Sequence, residues 1–181
     1  MMKKIVCLLL AMVFLTVLCG CSTQMTAVEN YLIALKKADM NGMETALTSS
    51  DTTQSALFNH LNEDEKAALQ SLYALIQYTI GEVAEEKDAK FVDVTLKIPN
   101  MQKILSLAEK QMLVTAESGE QIIREMVGDG TVTKTLMTEM TVSVKMTQAS
   151  GVWKIARDDN ENRAFFDAIA LTNMMQFIAN Y

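Results

Sequence analysis

Very little in this 181-residue chain can hold a metal or run redox chemistry. It has three cysteines, and all of them, Cys7, Cys19 and Cys21, fall within the first 21 residues. The body of the chain therefore offers no thiol for a disulfide, a metal site or thiol exchange. His60 is the only histidine. One imidazole cannot build a metal site, which needs several His, Cys or carboxylate ligands. A single proline, Pro99, and seven glycines leave few breaks, which argues against a disordered stalk and for regular elements. Basic residues are in deficit, with 16 Lys and Arg against 22 Asp and Glu. That balance excludes the basic footprint of nucleic-acid binding and electrostatic adhesion to anionic lipid. After Ser22 no apolar run approaches the roughly 20 residues of a membrane-spanning helix. Nor is there a P-loop, GxGxxG, HExxH, CxxC or Ser/His/Asp set.

What is present begins at the N-terminus. Lys3 and Lys4 precede an apolar run from Ile5 to Leu18 that only Thr16 interrupts. The run is too short to span a bilayer, and its basic flank fits a secretory signal. It ends in Leu18-Cys19-Gly20-Cys21 rather than an A-x-A-like site. That ending resembles the lipobox of bacterial lipoproteins, with Leu18 at −3, Cys19 at −2, Gly20 at −1 and Cys21 as the modified residue. The resemblance implies a diacylglycerol thioether on Cys21 and cleavage before it. A thiolate is the best nucleophile among ordinary side chains, and small neighbours let lipid and peptidase approach. Two or more acyl chains hold a protein where one only lingers, at about 0.8 kcal/mol per buried CH₂. Residues 1–20 are thus expected to be the signal peptide, 21–24 a lipidated tether, and 25–181 one domain. Removing Lys3 and Lys4 lowers the net charge from −6 to −8, because every acid lies after Cys21.

Along the domain, Met25, Val28, Leu32 and Leu35 recur at helical spacing and predict a helix over Met25–Ala38. Asp39 caps a second, shorter helix through Met43 and Leu47, and Thr48-Ser49-Ser50 reads as loop. Asp51 to Gln54 and Asn62 to Glu65 have the spacing of capping boxes, each opening a helix. The period then shortens to two. Tyr78, Ile80 and Val83 form one strand, with Gly81 as a bulge, and Phe91–Ile98 forms its hairpin partner. Pro99 ends that strand and Asn100 caps a helical stripe of Ile104, Leu105, Ala108 and Met112. A break near Thr115 and a capping box at Ser118 divide the stretch to Val127 into two helices. Thr131 to Thr147 is the longest strand candidate, Ala149-Ser150-Gly151 a turn, and Val152–Ala156 a short strand back. Asp158 to Asn160 then caps a single last helix containing Phe165 and Phe177.

Helices followed by grouped strands predict an α+β fold with one antiparallel sheet of about four strands. Two segments add a resemblance. Tyr31-Leu-Ile-Ala-Leu-Lys-Lys-Ala-Asp39 resembles the opening helix of small bacterial lipoproteins with an NTF2-like (cystatin-like) domain of unknown function. Gly151-Val-Trp-Lys-Ile155 is similar to their closing strand. The resemblance implies N-terminal helices packed against a curved antiparallel sheet, forming a cone that can hold a pocket. The helical insertion from Met101 to Val127 and the C-terminal helix depart from the minimal fold and stand where they can fill or lid it.

Few residues carry a chemical reading. NTF2-like isomerases and dehydratases use a pocket acid with Tyr or His partners. On that pattern Asp93 serves as the acid, with Tyr73 or Tyr78 as donor, provided that Asp93 shares a pocket with Phe91. The other arrangement places Asp93 on the solvent face of an edge strand. Trp153 either packs the sheet onto a helix or walls a pocket. His60, just before the Asn62 cap, reads as a surface or turn histidine. Glu82, Glu85, Glu86 and Asp88 lack Ca²⁺-loop spacing and read as a solvated turn. Met137, Met140, Met146, Met174 and Met175 are either core filler or a soft apolar groove. The expectation is a lipid-anchored, extracytoplasmic lipoprotein of the cell membrane that calls for no catalytic set, metal or cofactor. It would bind a small apolar ligand or an envelope protein. The alternatives are an isomerase- or dehydratase-like enzyme and a purely structural envelope protein that uses its exposed faces.

Overall fold

Local capping fixes several of the helix ends. The computed structural model describes residues 23–50, 52–86 and 89–180. Leu18 to Cys21, Asp51 of the first expected capping box, and Asp88 lie outside the described residues. Helix α1 occupies 23–36. Val28, Leu32 and Leu35 are fully buried along one face, with Tyr31 beside them. It ends two residues earlier than the spacing predicts, because Ala38 turns left-handed at φ 52°. Asp39 N–H donates to the Ala34 carbonyl at 2.9 Å and Ala38 N–H to that of Leu35 at 3.0 Å, the bond pair of a Schellman ending. Thr23 and Gln24, expected in the tether, are already helical, and Gln24 is buried.

The Asp39 carboxylate accepts from Gly42 N–H at 3.0 Å and starts α2, Met40–Thr45. That helix stops short of Leu47 because Ala46 to Thr48 turn to pair with a strand. Helix α3 is Thr52–His60, and α4 is Glu63–Ala74. Both halves of the Asn62 capping box form. Asn62 Oδ1 accepts from Glu65 N–H at 3.0 Å, and Glu65 Oε2 accepts from Asn62 N–H at 2.6 Å.

The sheet is antiparallel in the order β1-β2-β3-β4, with β1 Gln77–Glu86, β2 Ala89–Pro99, β3 Met137–Ala149 and β4 Val152–Ile155. The β1–β2 register shifts between Ile80 and Val83, as the bulge at Gly81 requires. Side chains alternate across the sheet. Val92, Val94, Leu96 and Ile98 point into the core, opposite Val144, Val142, Met140 and Thr138. The outer face carries Asp93, Thr95 and Lys97, opposite Ser143, Thr141 and Glu139. The free edge of β4 is covered at its end, Ile155: Ile155 N–H donates to Ala46 O at 2.9 Å and Thr48 N–H to Ile155 O at 3.0 Å. Covering an edge in this way removes a template for pairing with another chain.

Between the hairpins lie α5, Met101–Met112, and α6, Gly119–Gly128, separated near Thr115 as expected. The long strand expected from Thr131 is shorter. Thr131–Thr135 form a helical turn, α7, and β3 starts at Met137. Gly130 at φ 80° reverses the chain, and Asp129 Oδ1 accepts from Thr131 N–H at 2.7 Å. Burial of Val132 then holds the turn. The single C-terminal helix expected from Asp158 is also divided. A 3₁₀ turn, Asn160–Asn162, leads into α8, Arg163–Ile169, and then α9, Leu171–Asn180. Ala170 breaks them at φ 47°. Helix α9 packs against α3, α4, α5 and α6, while α4 reaches β2 and α8 reaches β3. The core thus lies between the inner sheet face and a helical layer.

One buried polar residue joins these layers. Asn162 is fully buried. Its Oδ1 accepts from Lys145 N–H at 2.7 Å, and its Nδ2 donates to Lys145 O at 2.9 Å and Ala156 O at 2.7 Å. The amide imitates a strand where β4 has ended, satisfying Lys145 N–H and Ala156 O, while Lys145 O also accepts from Ala156 N–H at 3.1 Å.

Candidate functional site

A cleft of about 660 Å³ opens between the inner sheet face and the α8–α9 joint. Its floor is Ile98 at the end of β2 with Thr138 and Met140 at the start of β3. Tyr31 of α1 and Phe166 of α8 supply aromatic walls, and Arg157 and Asn100 supply polar groups. The register that pairs Ile98 with Thr138 brings these positions together.

The walls are braced from behind. Tyr31 packs against Phe165 at 5.7 Å and Phe166 at 6.2 Å between ring centroids, and Phe165 meets Phe166 at 5.3 Å. Tilted and edge-on rings favour contact between the positive edge of one and the negative face of another. The Arg157 guanidinium lies 5.5 Å from the Phe166 centroid, a cation over an aromatic face. Asn100 Nδ2 donates to Thr138 Oγ1 at 3.0 Å, tying the β2 end to the β3 start. At the other rim Gln54 Nε2 donates to Thr172 Oγ1 at 2.9 Å, joining α3 to α9.

Of the residues singled out from sequence, Met140 lies on the cleft floor, whereas Tyr73, Tyr78, Asp93 and Trp153 do not line it. Tyr73 is fully buried in α4, and its hydroxyl donates to Ile169 O at 2.7 Å. Burial, with a smaller contribution from Tyr31, holds that phenol well above the ordinary tyrosine range. Tyr78 is half-buried on β1, its pKa raised by desolvation and by the Glu29 carboxylate. Asp93 faces outward and accepts a hydrogen bond from Ser143. The outward phase, not a pocket, is therefore where the Asp93 carboxylate sits. Trp153 is half-buried and lines a separate groove against α1. Asp93 and a tyrosine hydroxyl thus share no cavity in which to work as acid and donor. His60 is exposed at the end of α3. Among the described residues no group of His, Cys, Asp or Glu could hold a metal ion.

No protein-family model and no curated protein matches the chain. Among solved structures, that of the candidate lipoprotein YcdA from Bacillus subtilis subsp. subtilis strain 168 is similar at a TM-score of 0.48. Sequence identity is 15%, over 81% of this chain and 55% of that one. The chain spans about half the length of that protein. Among the described residues no helix is long and apolar enough to cross a membrane.

Sequence reasoning allowed a pocket between the helices and the sheet but did not find this lining, because its walls come from α1, α3, both inner strands and the C-terminal helices. The adjacent Phe165 and Phe166 and the Pro99-Asn100 strand stop were visible signals. Nothing local to either predicts that they converge.

Proposed function

We propose that this chain is a lipoprotein anchored through acylated Cys21 on the extracytoplasmic face of the cell membrane. Its α+β domain, of NTF2-like character, serves there as a binding module. Residues 1–20 form the signal, and the domain follows within a few residues of the anchor. The cleft carries the ligand-binding part of this reading. Its volume of about 660 Å³ falls in the range of small-molecule sites. Its mixture of Tyr31, Phe166 and Met140 with Arg157 and Asn100 suits a small, largely apolar molecule with one polar end. The apolar body would lie on the rings, and a carbonyl or anionic end would reach the amide and guanidinium.

Two measurements test this. Intact mass of the membrane-extracted protein is expected to lack residues 1–20 and to carry a diglyceride, and Cys21→Ser is expected to carry none. Native mass spectrometry of the full lipidated protein in detergent, after exposure to an envelope extract, is expected to show a bound small molecule. Ala164→Trp, placed on the exposed cleft rim, is expected to remove it without unfolding the domain. Identical adducts on both proteins would refute the cleft as the site.

A further inference from the structure

A second concavity lies where the chain leaves its anchor. The groove, about 450 Å³, is lined by Thr26, Ala27 and Asn30 of α1 and by Gly151, Val152 and Trp153 of the β3–β4 hairpin. Val152 is 59% exposed, one of the exposed large apolar side chains among the described residues, with Leu113 and Val114 after α5. Trp153 is half-buried, and the Lys90 ammonium lies 5.4 Å from its ring centroid. Thr23, the first described residue, lines the same groove.

Covalent geometry then restricts the domain. Only Ser22 lies between Cys21 and Thr23, so two residue steps join them, and a chain extends at most about 3.5 Å per step. If Cys21 bears the diglyceride, as proposed above, the start of α1 cannot stray more than about 7 Å from the acylated residue. The hairpin beside it is held at the same level. We infer that the β3–β4 hairpin and the first turns of α1 are the bilayer-contacting surface, with Val152 and Trp153 seated in the phospholipid headgroup layer. An indole suits that layer because it has an apolar ring and one N–H donor. Lys90 beside the ring supplies a cation at the level of the lipid phosphates. The acidic β1–β2 hairpin, with Glu85 3.7 Å from Lys90, limits any wider electrostatic attraction. The seating is therefore apolar and tether-driven, and salt leaves it in place.

The orientation has a consequence for the cleft. Trp153 pairs with Gln148 near the end of β3, whereas the cleft floor uses Thr138 near its start. Ten residues of strand at about 3.3 Å each separate the two levels, roughly 30 Å. The sheet stands on the membrane by its hairpin end, and the cleft floor lies at the end of β3 far from the lipid.

Trp153 is the only tryptophan, so its emission reports this surface alone. Full-length lipidated protein is reconstituted into phosphatidylethanolamine–phosphatidylglycerol vesicles with or without brominated phosphatidylcholine. The expected result is that Trp153 emission shifts to the blue and loses most of its intensity with the brominated lipid, equally at low and high salt. Moving the reporter, with Trp153→Phe and Glu139→Trp together, is expected to abolish the quenching, because Glu139 is exposed at the cleft end of the sheet. Protein that floats with vesicles but shows no quenching at Trp153, or equal quenching at both positions, overturns the orientation and leaves the lipid anchor standing. Protein that neither floats nor carries diglyceride mass overturns the anchor, and the orientation with it.

Discussion

Removing one oxygen atom, in Tyr73→Phe, is expected to loosen the joint at which α8 turns into α9. The Tyr73 hydroxyl donates to Ile169 O at 2.7 Å, and both residues are buried. Phenylalanine keeps the ring and its packing but leaves that carbonyl without its donor. Stranding one partner of a buried neutral hydrogen bond costs about 2 kcal/mol. For a domain of this size each kcal/mol moves the melting temperature by about 2–4 °C, so a fall of about 4–8 °C is expected at pH 7. The pH dependence supplies a second check. Burial raises the Tyr73 pKa in the folded state. Above pH 10 the unfolded chain therefore releases a proton that the folded chain retains, and stability falls as pH rises. The slope for one such group approaches about 1.4 kcal/mol per pH unit. Phenylalanine has no such proton to lose, and the other tyrosines are common to both proteins. The gap between wild type and variant should thus narrow between pH 10 and 11. Urea titrations at pH 7, 10 and 11 measure it. An unchanged midpoint at pH 7, or curves that stay parallel to pH 11, would refute the reasoning.

Asn162→Ala removes three hydrogen bonds to the Lys145 and Ala156 backbone. It is expected to lower stability by about 3 kcal/mol in urea denaturation, the largest loss among the polar variants. Gly151→Ala meets no neighbouring atom within 4 Å, yet it forces a side chain into φ 80°. A loss of about 1 kcal/mol from backbone strain alone is expected, read as a lower melting temperature with unchanged circular dichroism. Asp159 accepts hydrogen bonds from Lys145 Nζ at 2.8 Å and Glu161 N–H at 3.0 Å, which hold its carboxyl below the ordinary carboxylate range. As pH falls below about 4 the unfolded chain takes up that proton first, so this contribution is lost on the acid side. Asp159→Asn is expected to flatten the melting-temperature profile between pH 4 and 2 relative to wild type.

Helix starts were legible where the signal is local. Asn62 and Glu65, or Asp39 and Gly42, lie within one turn, and their hydrogen bonds need nothing from the rest of the fold. Strand phase was legible for the same reason, since Val92, Val94, Leu96 and Ile98 alternate with Asp93, Thr95 and Lys97. Thr131–Thr135 reads differently in isolation. Its Thr and Val content suits a strand, but the Asp129 carboxylate on Thr131 N–H and the burial of Val132 outweigh that weak preference. The C-terminal break was hidden because α8 and α9 both bury apolar faces, so the periodicity passes through Ala170 without a glycine to mark it. Asp93 was correctly placed in the phase opposite to Val92 and Val94. Whether that phase lined a pocket depended on which face the helices covered.

The sequence by itself determined the α+β order, the local caps and the alternating faces of the strands, because each depends on residues a few positions apart. Tertiary structure alone decided the cleft, the amide bridge of Asn162 and the groove beside α1. Those features need groups brought together from distant parts of the chain. Their positions follow from strand register and helix packing, which no short stretch of sequence encodes.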